Sequence, residues 1–233
     1  VALLKRVWIV VGVARLVTLV VTIETNRNMT EELQNKIKEI KRSFRFAMSG
    51  PTSQSMREKG AGYKINWGVP FIQLKAMAKD LGKSYDLAIA LWKEDIRECK
   101  ILATLVMPAD KMPIEVAEIW MEQTQTQEMA EMQAFNLYQH VAYAPEIAYR
   151  WIAEERDVYQ ICGYNILGRL FMKGQEPNER GINEFVDQAV TALQGASTGV
   201  RHAAMNALVR FADLGVVYER MAATALKQHN IEL

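Results

Sequence analysis

The sequence predicts an all-α protein, an α-α superhelix in which helix pairs stack as a helical-repeat solenoid. Apolar residues recur at the 3.6-residue spacing of amphipathic helices, and no stretch alternates with the period of two that is typical of a strand. Pro113, Pro145 and Pro177 follow one another at intervals of 32 residues. Each stands near the start of a predicted helix, where its missing N–H costs nothing. Because two helices and two turns occupy about that length, this spacing favours stacked helical hairpins over a closed bundle.

The predicted helices follow one another with short connections. In the first, over residues 30–49, Leu33, Ile37 and Phe44 lie on one apolar stripe, and Gly50–Pro51 ends the helix. The others are predicted at Ser53–Lys59, Pro70–Leu81, Ser84–Glu94, Ile96–Met107, Pro113–Gln123, Gln127–Val141, Pro145–Glu155, Asp157–Lys173, Glu179–Gln194, Thr198–Leu214 and Val216–Gln228. Glycines suited to helix C-terminal caps stand at Gly82, Gly174, Gly195 and Gly215.

Residues 1–28 differ in composition from the rest of the chain. Val7–Ile23 is an almost continuous apolar run that follows two basic residues and is interrupted by Arg15. This pattern is typical of a signal anchor, but it is short for a membrane span of about 20 residues, and an arginine is costly there. The alternatives are an extension upstream of a natural start at Met29 and an extra helix packed on the domain. We predict a helical-repeat domain over residues 29–233, with residues 1–28 outside it and a membrane contact only if that segment is genuine.

The overall composition excludes few functions. Because 28 Lys+Arg balance 27 Asp+Glu, a nucleic-acid-binding protein of this composition would have to concentrate its positive charge on one face.

Cys99 and Cys162 lie in apolar helical stretches, so we expect them to be buried and reduced in a cytoplasmic protein. The three histidines have no partner at metal-ligand or triad spacing. We therefore expect no metal. We also expect no organic cofactor, and we expect the protein to be a monomer.

Two segments carry a resemblance to a known family. The first runs from Tyr63 to Lys79 and reads YKINWGVPFIQLKAMAK, and the second runs from Leu91 to Leu105 and reads LWKEDIRECKILATL. Both are similar to motifs of the DNA alkylation repair (AlkD-type) family, and the late helix around Val200–Arg210 resembles that family more loosely. The resemblance implies a superhelix of HEAT-like repeats that binds duplex DNA carrying N3- or N7-alkylated purines.

The resemblance also implies a reaction, hydrolysis of the N-glycosidic bond of the alkylated purine. The damaged base is already cationic and leaves readily, so the enzyme mainly has to stabilise positive charge on the deoxyribose with a carboxylate. Aromatic rings contact the DNA backbone and an arginine holds a phosphate. The matching helix of this chain lacks the family's Trp-Asp-x-x-Asp pattern and offers Glu128 and Glu131, of which Glu131 is our candidate catalytic residue. Tyr159–Gln160 and Asn206 stand where the family has paired arginines and a late tryptophan.

Seven basic residues are predicted to contact DNA phosphates, which position a protein on DNA without reading sequence. They are Lys64, Lys75, Lys79, Arg97, Lys100, Arg201 and Arg210. For Arg97 the alternative is an ion pair with Glu94 or Glu98. Trp92, Trp120 and Trp151 lie on apolar stripes and are predicted to be buried. The competing hypothesis for the whole protein is a non-catalytic HEAT-like scaffold that binds protein or structured nucleic acid.

Overall fold

The computed structural model describes residues 30–58 and 62–231. The apolar segment 1–28 lies outside the described residues. Within them, no helix has the length and apolar character needed to cross a membrane. The chain divides into two compact units after Ala47. In the first unit, residues 30–47 form α1, and its predicted apolar stripe is buried at Ile37 and Phe44.

The second unit contains the remaining helices. They are α2 (Gly50–Glu58), α3 (Phe71–Leu81), α4 (Tyr85–Trp92), α5 (Arg97–Val106), α6 (Ile114–Glu122), α7 (Gln127–Asn136), α8 (Ala144–Ile152), α9 (Asp157–Met172), α10 (Glu179–Gln194), α11 (Thr198–Ala212) and α12 (Val216–Gln228). Short 3-10 turns follow α5 and α7, at Ala109–Lys111 and Tyr138–His140. The prediction of an all-α protein is confirmed.

The helices of the second unit are arranged in two layers. Successive helices form pairs, α4 with α5, α6 with α7, α8 with α9 and α10 with α11. The second helices of these pairs form one layer together with α3, in which α5 packs on α3, α7 on α5, α9 on α7 and α11 on α9. The first helices form the other layer. There the Trp92 ring of α4 stacks on Trp120 of α6 at 4.2 Å between centroids, Arg150 of α8 pairs with Glu118 of α6, and α10 contacts α8.

The repeat length predicted from the prolines recurs in the contacts between successive pairs. Pro113 caps α6, Pro145 lies in the first turn of α8, and Pro177 stands two residues before α10. Several side-chain hydrogen bonds that join one pair to the next connect residues separated by 31 to 34 positions, as between Asn136 and Thr104 or between Arg156 and the Thr124 carbonyl. Each pair therefore meets the next through equivalent positions, as in a repeat architecture.

The largest difference from the predicted helices is at the end of α7. The helix was predicted to continue to Val141 but ends at Asn136, because Leu137 has φ −131° and ψ −64°. This break directs Tyr138 into the core, where its hydroxyl donates to the Ala117 carbonyl at 3.2 Å and its ring meets Trp151 edge-on at 5.2 Å. Tertiary packing has overridden local helical propensity here.

Two glycines inside α9 provide a test of how closely the helices pack. A Cβ at Gly163 would lie 2.8 Å from the Ala148 carbonyl oxygen of α8, whereas a Cβ at Gly168 would lie 3.4 Å from Cα of Ala207 in α11. Both Gly→Ala changes gain up to about 1 kcal/mol of helix propensity. We expect Gly163→Ala to lower the free energy of unfolding by about 1–3 kcal/mol, because α8 must move away. Gly168→Ala should stay within about 1 kcal/mol of the parent in the same denaturant titration, and equal effects would contradict this packing.

Candidate nucleic-acid interface

A buried hydrogen-bond network holds the turn of residues 63–70, which we call the Gly68 turn. Glu98, at the start of α5, is 0% exposed and accepts the backbone N–H groups of Trp67 and Val69 at 3.3 and 3.2 Å. The backbone N–H of Arg97 donates to the Ile65 carbonyl at 3.0 Å. Because a buried carboxylate needs donors or a cation to offset its desolvation, Glu98 ties the turn firmly to the first turn of α5.

Arg97 connects this turn to α7. Its side chain is 3% exposed, and its guanidinium forms a two-pronged ion pair with Glu128, with Nε–Oε2 2.9 Å and Nη2–Oε1 2.5 Å. The Nη1 atom also donates to Glu98 at 3.2 Å and to the Val69 carbonyl at 3.3 Å. Burial would lower the pKa of Arg97, but the hydrogen bonds and charge of Glu128, with the charge of Glu98, raise it overall. The guanidinium remains charged.

Tyr63 completes the network. Its hydroxyl lies 3.0 Å from Glu128 Oε2 and 2.8 Å from Oγ1 of Thr126, the residue that caps the N-terminus of α7. Burial and the negative charge of Glu128 raise the pKa of Tyr63 well above its usual range, so the hydroxyl keeps its proton and donates to the carboxylate. The Gly68 turn, α5 and α7 are thereby held at fixed relative positions.

This network corrects the prediction that Arg97 contacts a DNA phosphate. Its side chain is buried, and its donors are directed to Glu128, Glu98 and the Val69 carbonyl. The alternative of an ion pair with Glu98 is the one that the structure favours, and the Glu128 partner was missed. The 31-residue separation of Arg97 and Glu128, close to the 32-residue repeat, is a signal that could have found it.

Two of the other predicted DNA-binding residues come together. Lys64 and Lys100 line one cavity of about 370 Å³ with Asp95 and Thr126. The ammonium of Lys100 lies 4.8 Å from the centroid of the Trp92 ring. Burial lowers the pKa of Lys100, partly offset by the charge of Asp95. The cavity thus presents one exposed and one half-buried ammonium beside the N-terminus of α7.

The remaining predicted contacts are dispersed over two helices. Lys75 and Lys79 are exposed one turn apart on α3. On α11, Arg201 donates to the Gly195 carbonyl at 2.9 Å and Arg210 pairs with Asp213 at 3.1 Å. These four residues, with Lys64 and Lys100, remain predicted DNA contacts.

Glu131 lies on a half-exposed face of α7. Its carboxylate accepts from Nε2 of Gln127, one turn earlier, at 2.8 Å. A Cβ at Gly199 would lie 2.7 Å from Oε1 of the same Gln127, so the first turns of α7 and α11 approach each other here. Since Glu128 is held by Arg97, Glu131 is the carboxylate of this pair that is not committed to a cation in the described structure.

An aromatic ring and an arginine, neither of which was predicted, lie next to Glu131. Phe135 follows it by one turn on the same face of α7, and the guanidinium of Arg169 on α9 lies 4.5 Å from the Phe135 ring centroid. The 34-residue separation of Phe135 and Arg169 again approximates the repeat length. A carboxylate, an aromatic ring and a guanidinium therefore share one surface, the Glu131 face (Glu131, Phe135 and Arg169).

The three tryptophans predicted to be buried are not part of this surface. Trp92, Trp120 and Trp151 are between 1% and 4% exposed, which confirms the prediction. Tyr159, predicted to stand where the family has one of its paired arginines, packs edge-on against Trp151 at 5.9 Å between centroids. Asn206 lies 3.4 Å from Nδ1 of His202 on α11. Among the described residues, no group of three side chains is placed to hold a metal ion.

Comparison with known proteins adds two findings. The family model described as DNA alkylation repair enzyme matches residues 34–170. A solved structure, described as one of a new family of proteins related to the HEAT-like repeat DNA glycosylases with affinity for branched DNA structures, is similar with a TM-score of 0.74. The similarity covers 82% of each chain at 17% sequence identity, and it confirms the HEAT-like helical-repeat fold class. No curated protein sequence matches the chain.

Proposed function

This chain belongs to the DNA alkylation repair enzyme family, and from that premise we propose that it binds DNA and hydrolyses the N-glycosidic bond of N3- or N7-alkylated purines. Glu131 is the proposed catalytic residue. Its carboxylate would stabilise the positive charge that develops on the deoxyribose as the cationic base leaves. The reaction needs no cofactor, because alkylation has already activated the leaving base.

The observation that carries this proposal is the composition of the Glu131 face. A half-exposed carboxylate, the ring of Phe135 and the guanidinium of Arg169 lie on neighbouring faces of α7 and α9. These are the kinds of group that the reaction requires, a negative charge for the sugar, an aromatic surface for the backbone and a cation for a phosphate. All three residues fall within the matched part of the chain.

The second candidate is DNA binding without hydrolysis, including binding to branched DNA. It is favoured by the burial of Trp92, Trp120 and Trp151, which makes these three rings unavailable to DNA. It also agrees with the structural relative, whose own family is described as having affinity for branched DNA. A third candidate is the scaffold that binds other proteins.

The decisive measurement is release of N7-methylguanine and N3-methyladenine from alkylated duplex DNA by the full chain. We expect release by the parent protein and a loss of about 100-fold or more in Glu131→Gln, which keeps the shape of the side chain and removes its charge. Glu146→Gln, an exposed position on α8 in the other helix layer, is the matched control and should leave the rate unchanged.

The outcomes separate the candidates when binding to duplex and four-way-junction DNA is measured in parallel. Absence of base release together with salt-dependent DNA binding would exclude the glycosylase and leave the DNA-binding protein. Absence of binding to either DNA would exclude both and leave the scaffold. Equal rates in Glu131→Gln and the parent would remove Glu131 as the catalytic residue.

A further inference from the structure

We propose that Lys83 and Lys173, together with His140 and with Arg169 of the Glu131 face, form a basic edge that binds the sugar-phosphate backbone beside that face. This inference rests on the proposed DNA binding and extends it to residues outside the predicted set. The four residues are far apart in the sequence, and the fold gathers them at the C-terminal ends of α5, α7 and α9.

Hydrogen bonds to backbone carbonyls fix two of these side chains. The Lys83 ammonium donates to the carbonyls of Leu105 and Met107, at the end of α5, at 2.8 and 3.1 Å. The Lys173 ammonium, just after α9, donates to the Gln139 carbonyl at 3.1 Å, adjacent to His140. The 3-10 turn Ala109–Lys111 packs on the turn Tyr138–His140, which brings the ends of α5 and α7 together.

His140 lies close to the positive charges of this edge, and these charges affect its pKa. Partial burial lowers the pKa of His140, and the charges of Lys173 and Lys83 lower it further. The side chains of all three residues are exposed. Asp110 provides an opposing negative charge next to Lys83. The ammonium groups of Lys83 and Lys173, held together at a surface, repel each other, so a polyanion that neutralises them binds favourably.

Arg169 links the basic edge to the Glu131 face. It precedes Lys173 by one turn, and its guanidinium lies over the Phe135 ring at a cation-π distance. Its Nη1 lies 3.9 Å from the sulfur of Met172, a weak acceptor. No carboxylate within the described ranges lies at ion-pair distance from Arg169, unlike Arg97, Arg150 and Arg210. Its donors are therefore available to a phosphate.

A purely structural role is the competing explanation, because lysines near helix C-termini stabilise the last carbonyls. That role accounts for the carbonyl contacts of Lys83 and Lys173 but not for the position of Arg169 over the Phe135 ring. It also makes a different prediction. Loss of a helix-end contact changes stability, whereas loss of a phosphate contact changes the salt dependence of DNA binding.

The test measures the affinity of the full chain for a short unmodified duplex at several salt concentrations. Arg169→Gln and Lys173→Gln should each reduce the slope of log affinity against log salt by about one, and the double variant by about two. Arg169→Lys and Lys173→Arg should keep the parent slope, because the charge remains. Arg180→Gln, an exposed arginine of α10 in the other helix layer, is the matched control and should not change it.

Contrary results have distinct meanings. An unchanged slope in Lys173→Gln, with duplex binding retained, would overturn the basic edge and leave the proposed function intact. A loss of slope in the charge-preserving variants, or a fall in thermal stability that accounts for the weaker binding, would also overturn it in favour of the structural role. Failure of the parent protein to bind any DNA would overturn both proposals.

Discussion

Replacement of Arg97 by alanine is expected to lower the free energy of unfolding by about 3–5 kcal/mol, because it leaves a buried charge without a partner. Glu98 is fully buried and would lose its only described cation, and Glu128 would lose a two-pronged partner. The backbone donors of Trp67 and Val69 would still reach Glu98, but neutral donors offset only part of the cost of a buried carboxylate. Urea denaturation of the full chain measures this loss.

Arg210→Ala is the matched control for this prediction. Arg210 pairs with Asp213 on the surface of α11, with 47% of its side chain exposed, and surface pairs of this kind contribute about 0–1 kcal/mol. If Arg97 instead contacted a DNA phosphate, its removal would weaken duplex binding while leaving the free energy of unfolding near that of the parent. The two measurements therefore decide directly between the role expected from the sequence and the role assigned from the structure.

Gly68→Ala is expected to cost about 2–5 kcal/mol, the second-largest effect. Gly68 has φ +69°, in the left-handed region that residues with a Cβ adopt at a cost. In addition, a Cβ there would lie 2.5 Å from the Ser49 carbonyl oxygen and 2.7 Å from the Ser53 nitrogen. Both neighbours are backbone atoms, so the Gly68 turn would have to move away from the start of α2. Thermal or urea denaturation of the purified variant checks the magnitude.

Gly82→Ala separates the two causes of that loss. Gly82 caps α3 with a nearly identical φ of +71°, but nothing lies within 4 Å of a Cβ built there. Only the conformational part should be lost, about 1–3 kcal/mol, because φ +71° with ψ −174° is a backbone conformation that almost only glycine adopts. Equal destabilisation by the two substitutions would show that the contacts of Gly68 with Ser49 and Ser53 are unimportant.

Most of the fold could be predicted because helices leave local signals. Apolar residues three and four positions apart, glycine caps and proline starts placed the helices to within a few residues, apart from the early end of α7. The 32-residue proline spacing also indicated the repeat, because stacked hairpins of equal length place equivalent residues at equal intervals. The burial of Trp92, Trp120 and Trp151 followed from their positions on apolar stripes.

The functional residues were harder to predict, because the role of a charged side chain depends on what the fold places against it. From the sequence alone, the helical pattern and the motifs at Tyr63–Lys79 and Leu91–Leu105 determined an all-α repeat protein related to DNA alkylation repair. Only the tertiary structure decided that Arg97 is buried against Glu98 and Glu128, and that the Arg169 guanidinium lies over the ring of Phe135, one turn from Glu131 on α7. The physical reason is that electrostatic and stacking contacts act over a few ångströms, and the partners across successive repeats lie more than 30 residues apart in the chain.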